Sequence, residues 1–206
     1  MKKQWYHTDN FKQIICLGTP IVLNQLLVLA AGFVATIFIA RLGAVALAAT
    51  GLVYSGYISL YLFCIGCLYA VAIPAGRAYG NNQIDKFKSI MASGLILAIL
   101  LALFAFCLLS VLPFVYHWTH QDLAIILSAE RYLRVISFVL FPYLLLVVMR
   151  QFLLIVMRTM IINILAVINF FVIVAFSYVF IFGVDGHFAF GIAGAPLGSL
   201  IAALIC

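Results

Sequence analysis

Tyr54, Tyr57 and Tyr61 are separated by three and four residues, inside a stretch without charge that runs over 42–76. On a helix that spacing sets three phenol rings along one face. Such a face either holds an organic cation against its rings, or packs on a neighbouring helix with the outermost ring at the membrane interface. A second polar group, Thr19, Pro20, Asn24, Gln25 and Thr36, lies nearer the start. Pro20 removes a backbone hydrogen bond and can kink a helix, and the two amides follow about one turn later. A bent helix beside amides exposes carbonyls to a cavity; the alternative is that the amides bond neighbouring helices. Asn163, Asn169 and Ser177 form a third group. Asn169 lies well inside its apolar run, where it either bonds across helices or faces an aqueous cavity.

The carboxylates are Asp9, Asp85, Asp122, Glu130 and Asp185, all near the ends of apolar runs. A proton- or sodium-coupled transporter usually holds one mid-membrane, where it can titrate or bind an ion. Its absence speaks against an intact coupling site in this stretch of chain. His117, His120 and Asp122 are metal-ligand types close together, but a solvated aromatic loop is the preferred reading and no metal site is assigned. Cys64-x-x-Cys67 has metal or redox spacing without a partner pair or polar neighbours. Both cysteines are read as small apolar residues. No nucleophile triad, phosphate loop or carboxylate pair is present, so an enzyme is not expected and no cofactor is assigned.

The elements that carry these residues must sit in lipid. The chain of 206 residues is 68% hydrophobic and 8% charged, with a mean hydropathy of +1.30. A soluble domain carries about 25% charged residues, so this one lacks the polar surface that water requires. The net charge of +6 is dispersed between apolar runs and forms no basic face for nucleic acid. The fold class expected is therefore an all-α integral membrane protein, because lipid-facing strands would have to alternate and close into a barrel.

A span needs about 20 apolar residues. Uncharged runs give six helices, about 13–39, 47–75, 89–112, 126–149, 160–182 and 191–206, within a single domain over 1–206. Arg131 and Arg134 fall in the first turns of the fourth and snorkel to the interface. Loops are expected at 41–44, 75–82, 113–122 and 183–186. One side carries Lys2, Lys3, Lys12, Arg77, Lys86, Lys88, Arg150 and Arg158, the other Arg41, Arg131 and Arg134. The excess places the N-terminus in the cytoplasm of, by expectation, a bacterial plasma membrane. The sixth run, 191–206, reaches about 24 Å as a helix, short of the roughly 30 Å core, and is expected to be a truncated span. Gly51/Ser55/Ser59, Gly94/Ala98/Ala102 and Gly194/Gly198 recur every four residues, a spacing that lets helix backbones approach closely.

Taken in order, several segments resemble the multidrug and toxic compound extrusion (MATE) family of efflux transporters. These are Gly32 to Gly43 with Ala44 to Ala49 after it, Ala78-Tyr79-Gly80-Asn81-Asn82, Tyr132-Leu133-Arg134, and Tyr178 to Gly183 followed by Gly191 to Pro196. The resemblance implies one six-helix lobe of a two-lobe transporter with a central cavity. It implies export of cationic, amphipathic compounds in exchange for protons or sodium. The partners it implies are the lipid bilayer, small organic cations, and a second lobe supplied by another copy or another chain. Two departures stand out: the family's common acidic residue in the first helix falls at Ala35, and its asparagine pair in helix five falls near Ile173 and Ser177. The 157–159 turn is also shorter than the family's glycine-bearing one. The competing readings are a truncated, non-transporting relative and an exporter of lipid-linked sugars. The substrate or ion pathway residues expected are Pro20, Asn24, Gln25, Thr36, Tyr54, Tyr57, Tyr61, Asn169 and Ser177.

Overall fold

The computed structural model describes the backbone of residues 5–118, 122–157, 159–183 and 190–205, with side chains from residue 18 onward except at 20, 21 and 159. Among the described residues, six α-helices follow one another: α1 (Trp5–Ala40), α2 (Ala44–Gly80), α3 (Ile84–His117), α4 (Leu123–Ile155), α5 (Thr159–Phe182) and α6 (Gly194–Ile205). A single 3-10 turn, Gly191–Ala193, leads into α6. Among the described residues, five helices are long and apolar enough to cross a membrane. The protein is an all-α integral membrane protein.

The helices outrun the apolar stretches that define them. With 37 residues, α2 is about 55 Å long at 1.5 Å per residue, against a hydrocarbon core of about 30 Å. Intrahelical hydrogen bonds do not stop at the lipid boundary, so Arg77, Asp85, Lys86 and Lys88 lie in helical turns beyond the apolar core. The loop expected over 75–82 accordingly shrinks: residues 75–80 are helical, and the turn is made at Asn81 and Asn82. There Asn82 takes the left-handed backbone (φ 55), and the Gln83 amide closes onto the Ala78 carbonyl at 2.9 Å, so the last carbonyls of α2 are satisfied. The loop expected from Pro113 is likewise helical as far as His117. Proline costs one ladder bond, and helices in membranes tolerate that where neighbours re-satisfy the backbone. Pro74 and Pro142 sit inside α2 and α4 in the same way. The 41–44 turn is tight as expected, with Gly43 at φ 111. Of the expected 183–186 turn, Gly183 is left-handed (φ 76) and the remainder lies outside the described residues.

Packing divides the helices into two groups. One is α2, α3 and α4; the other is α1, α5 and α6; the closest tie between the two groups is α4 against α6. Where they face each other elsewhere, α1 meets α2 and α4 meets α5 only sparsely. A seam therefore runs between the α2–α4 wall and the α1–α5 wall. The core of the first group is built from Val53, Leu60, Cys64 and Leu68 of α2, and Leu140, Leu144 and Val148 of α4. Small residues of α3, Ala98, Ala102 and Ala105, let its backbone come close. Lipid is as apolar as leucine, so dispersion and fit, rather than expulsion of water, hold these faces together. Large exposed side chains such as Phe33, Leu100 and Phe114 are free to meet acyl chains.

The three rows of small residues behave differently. Gly94 packs under Val71, Val148 and Phe152. Gly194 and Gly198 lie against the backbone of α5 at Phe180 and Ser177. Gly51 has nothing within 4 Å, and Ser55 and Ser59 are exposed, so that row meets no helix among the described residues.

Candidate functional site: an aromatic row leading to a cavity

The tyrosine row of α2 is real and it continues onto another helix. Tyr54 and Tyr57 have ring centroids 6.4 Å apart, and Tyr57 and Tyr61 stack at 5.9 Å with planes 6° apart. Tyr61 meets Tyr143 of α4 edge-on at 5.5 Å. Tyr54 is exposed, while Tyr57, Tyr61 and Tyr143 are half-buried. Four phenols thus form a ladder from the surface of the lobe to the seam, where Tyr143 becomes part of a cavity wall.

A small cavity of about 30 Å³, partly open to the outside, lies between α1, α4 and α5. Its α1 side includes Leu27, Val28 and Ala31; its α5 side includes Asn169 and Ile173. From α4 come Tyr143, Leu146, Val147 and Arg150, spaced by three, one and three residues and so on one helix face. The cavity exists because the two helix groups fail to close at this point of the seam.

Of the sequence-predicted residues, Asn169 lines this cavity, half-buried. Tyr61 touches its wall through Tyr143. Asn24 stands just beyond it: buried, with its side-chain amide donating to the Ile162 carbonyl of α5 at 3.3 Å. This bond ties α1 to α5 one turn from the cavity floor. Gln25 is exposed. Thr36 is exposed and donates to the Gly32 carbonyl of its own helix at 2.9 Å. Pro20 lies within α1, whose helix continues through it, and its side chain is outside the described residues. Ser177 is fully buried in the contact between α5 and α6, its hydroxyl 3.5 Å from the Ala195 carbonyl. The structure brings Tyr54, Tyr57, Tyr61 and Asn169 to one side of the lobe, and sets Ser177 in a helix–helix contact.

Two lining residues escaped the sequence reading. By sequence, Arg150 is the charge that follows the fourth helix expected over 126–149. In fact α4 continues to Ile155, so Arg150 is inside the helix and half-buried against the cavity. Tyr143 was not singled out. A signal existed for both: Tyr143 and Arg150 are seven residues apart, two turns of one face. The two departures from the family pattern also acquire a place. Ile173 lines the cavity with an apolar side chain; Ala35 is half-buried on α1.

The remaining polar groups have other employments. His117 Nε2 lies 3.1 Å from Glu130 Oε1, which joins the end of α3 to the second turn of α4. His120 is outside the described residues. Cys64 is buried in the α2 core and Cys67 is half-buried beside it.

A match to the MatE family model covers residues 20–179. The chain belongs to the MatE family. The family match begins at Pro20 and runs through α1 to α5, so it includes both walls of the seam. Among curated relatives, the chain is similar to a probable multidrug resistance protein NorM of Pseudomonas putida, at 30% identity over 145 residues, which cover 70% of this chain and 31% of that protein. A probable multidrug resistance protein NorM of Synechocystis sp. is 27% identical over 139 residues, 68% of this chain and 30% of that one. The chain thus spans about a third of the length of the curated relatives it matches. In fold it is similar to a MOP superfamily transporter from Pyrococcus furiosus, with a TM-score of 0.83 at 18% identity, over 93% of this chain and 42% of that chain. A multidrug resistance MATE family transporter of the MOP superfamily, solved in an outward-facing conformation, matches with the same TM-score, identity and coverage. The MatE fold of this chain is therefore that of about six helices of a larger transporter architecture.

Proposed function

We propose that this chain forms one six-helix lobe of a cation-coupled antiporter that exports amphipathic organic cations. The carrying observation is the tyrosine ladder from Tyr54 through Tyr57 and Tyr61 to Tyr143, which offers stacked π faces along the side of the lobe that leads into the cavity. Organic cations are held by such faces through the ring quadrupole, at about 0.5–2 kcal/mol per ring according to desolvation. Membership of the MatE family and similarity to proteins described as probable multidrug resistance proteins support the same reading. Asn169 supplies a hydrogen-bonding group inside the cavity, and the apolar walls accept the body of an amphiphile. Asn24 holds α1 on α5 so that the cavity keeps its shape.

The seam becomes a pathway when a second lobe covers it, from a second copy or from another polypeptide. Among the described side chains, the carboxylates Asp85, Asp122 and Glu130 belong to helix ends. Coupling to protons or sodium therefore draws on groups of that second lobe. In this proposal the N-terminus lies in the cytoplasm of a bacterial plasma membrane, because the basic residues crowd the ends of the helices on that side.

Dye efflux tests this function. Cells expressing the chain are loaded with ethidium, and its retention is followed with and without an uncoupler. Retention below that of empty-vector cells is expected, with the difference removed by the uncoupler. Equal retention in both strains under both conditions would refute export by this chain.

A further inference from the structure

We propose that the cavity between α1, α4 and α5 binds the anionic head group of an amphiphile, with Arg150 as its charge partner. This goes beyond the export of cations and does not rest on it.

Arg150 is half-buried as a residue, and a charge drawn partly out of water is costly unless a counter-charge meets it. Among the described residues the ion pair found is His117 with Glu130, and no carboxylate lies within 4 Å of Arg150. Arg150 instead lines a cavity whose other polar residues are Tyr143 and Asn169. An arginine on the lining, with a phenol and an amide elsewhere on it, offers donors to a phosphate or a carboxylate.

The rest of the lining is apolar, from Leu27, Val28 and Ala31 on one wall to Leu146 and Ile173 on the others. Arg150 stands five residues before the end of α4, about 8 Å from that end at 1.5 Å per residue. Tyr143 lies about 10 Å deeper along the axis. Charge at the outer end and apolar wall further in match an amphiphile lying along the seam, head toward the helix ends and tail toward the membrane centre. Anionic phospholipids have this shape, and so do soluble amphiphiles with one acidic group.

There is a consequence for the aromatic row. Tyr61 meets Tyr143, which shares an α4 face with Arg150 two turns on, so an uncompensated guanidinium opposes a cation at the inner end of the ladder. A bound anionic head group removes that opposition.

Binding is read on the full chain, purified in uncharged detergent, by thermal unfolding with added phosphatidylglycerol, phosphatidylcholine or inorganic phosphate. Phosphatidylglycerol is expected to raise Tm by about 5 °C when it exceeds Kd roughly a hundredfold, and phosphatidylcholine to leave it unchanged. The shift should vanish in Arg150→Gln and persist in Arg150→Lys. It should persist also in Lys88→Gln, which removes an exposed charge elsewhere. If Arg150→Gln does not fold, Asn169→Leu serves instead and should at least halve the shift. The proposal is overturned by the absence of a shift with phosphatidylglycerol, or by a full shift in whichever of these two variants is measured. A full shift with inorganic phosphate alone would also overturn it, because the apolar walls would then play no part.

Discussion

Gly198→Ala is expected to lower the unfolding temperature of the chain in detergent by about 6–12 °C. A Cβ at this position would stand 2.5 Å from the Ser177 hydroxyl oxygen, 2.7 Å from its backbone nitrogen and 3.0 Å from its Cα. Two of those three atoms are main chain, so no rotamer change relieves the contact and α6 must move away from α5. Gly194 is in the same position against the Phe180 carbonyl, with Cβ-to-backbone distances of 2.5 Å. Overpacking of a fitted contact costs about 1–3 kcal/mol. A backbone-to-backbone contact belongs at the upper end, and each kcal/mol moves Tm by about 2–4 °C in a chain of this size. Gly51→Ala is the control. It has nothing within 4 Å, and alanine gains up to about 1 kcal/mol over glycine in a helix, so its Tm should hold or rise. Similar losses for both variants would mean that α5 and α6 do not approach as described.

Tyr61→Leu is expected to weaken binding of tetraphenylphosphonium to the purified chain by about 5- to 30-fold, with Tyr61→Phe within about twofold of the parent. Tyr61 is the centre of the ladder, stacked on Tyr57 and edge-on to Tyr143. Leucine keeps the apolar volume and removes the π face, whereas phenylalanine keeps the face and removes the hydroxyl. The expected loss of about 1–2 kcal/mol follows from one cation–π contact in a partly desolvated site. Equilibrium dialysis of the probe against each variant measures it. Equal affinity for Tyr61→Leu and the parent would show that the row only packs α2 on α4. A loss of equal size in Tyr61→Phe would make the hydroxyl, not the ring face, the binding group.

Much of this architecture is legible in the residues because lipid imposes so few solutions. An apolar run of sufficient length must be a helix, so the six helices and their order follow from the charges alone. The helix ends do not. Charges mark where lipid stops, while hydrogen bonding continues past them, which is why α2 reaches Gly80 and α3 reaches His117. The same reasoning misplaced Arg150, since a charge read as a boundary turned out to line a cavity. The tyrosine face was readable because three- and four-residue spacing survives in any helix. Its extension to Tyr143 was not, because it depends on α2 packing against α4, a pairing between residues far apart in sequence. Ser177 and Asn169 are eight residues apart on one helix, yet one is sealed under α6 and the other opens into the seam. Polarity inside a span identifies both; only the placement of α6 separates them. For the small-residue rows, spacing alone does not distinguish Gly198, pressed on backbone, from Gly51, which meets nothing.

Access from water to the seam between α2–α4 and α1–α5 is what makes the tyrosine row and the cavity a pathway. Single cysteines at Tyr54, Ile173 and Leu100, in a chain freed of its own cysteines, can be exposed in membranes to a charged, water-soluble maleimide. Tyr54→Cys and Ile173→Cys are predicted to label, with labelling slowed by tetraphenylphosphonium, while Leu100→Cys on the outer face of α3 stays unlabelled. If the two seam positions resist the reagent as Leu100→Cys does, the seam faces lipid and the pathway described here does not exist.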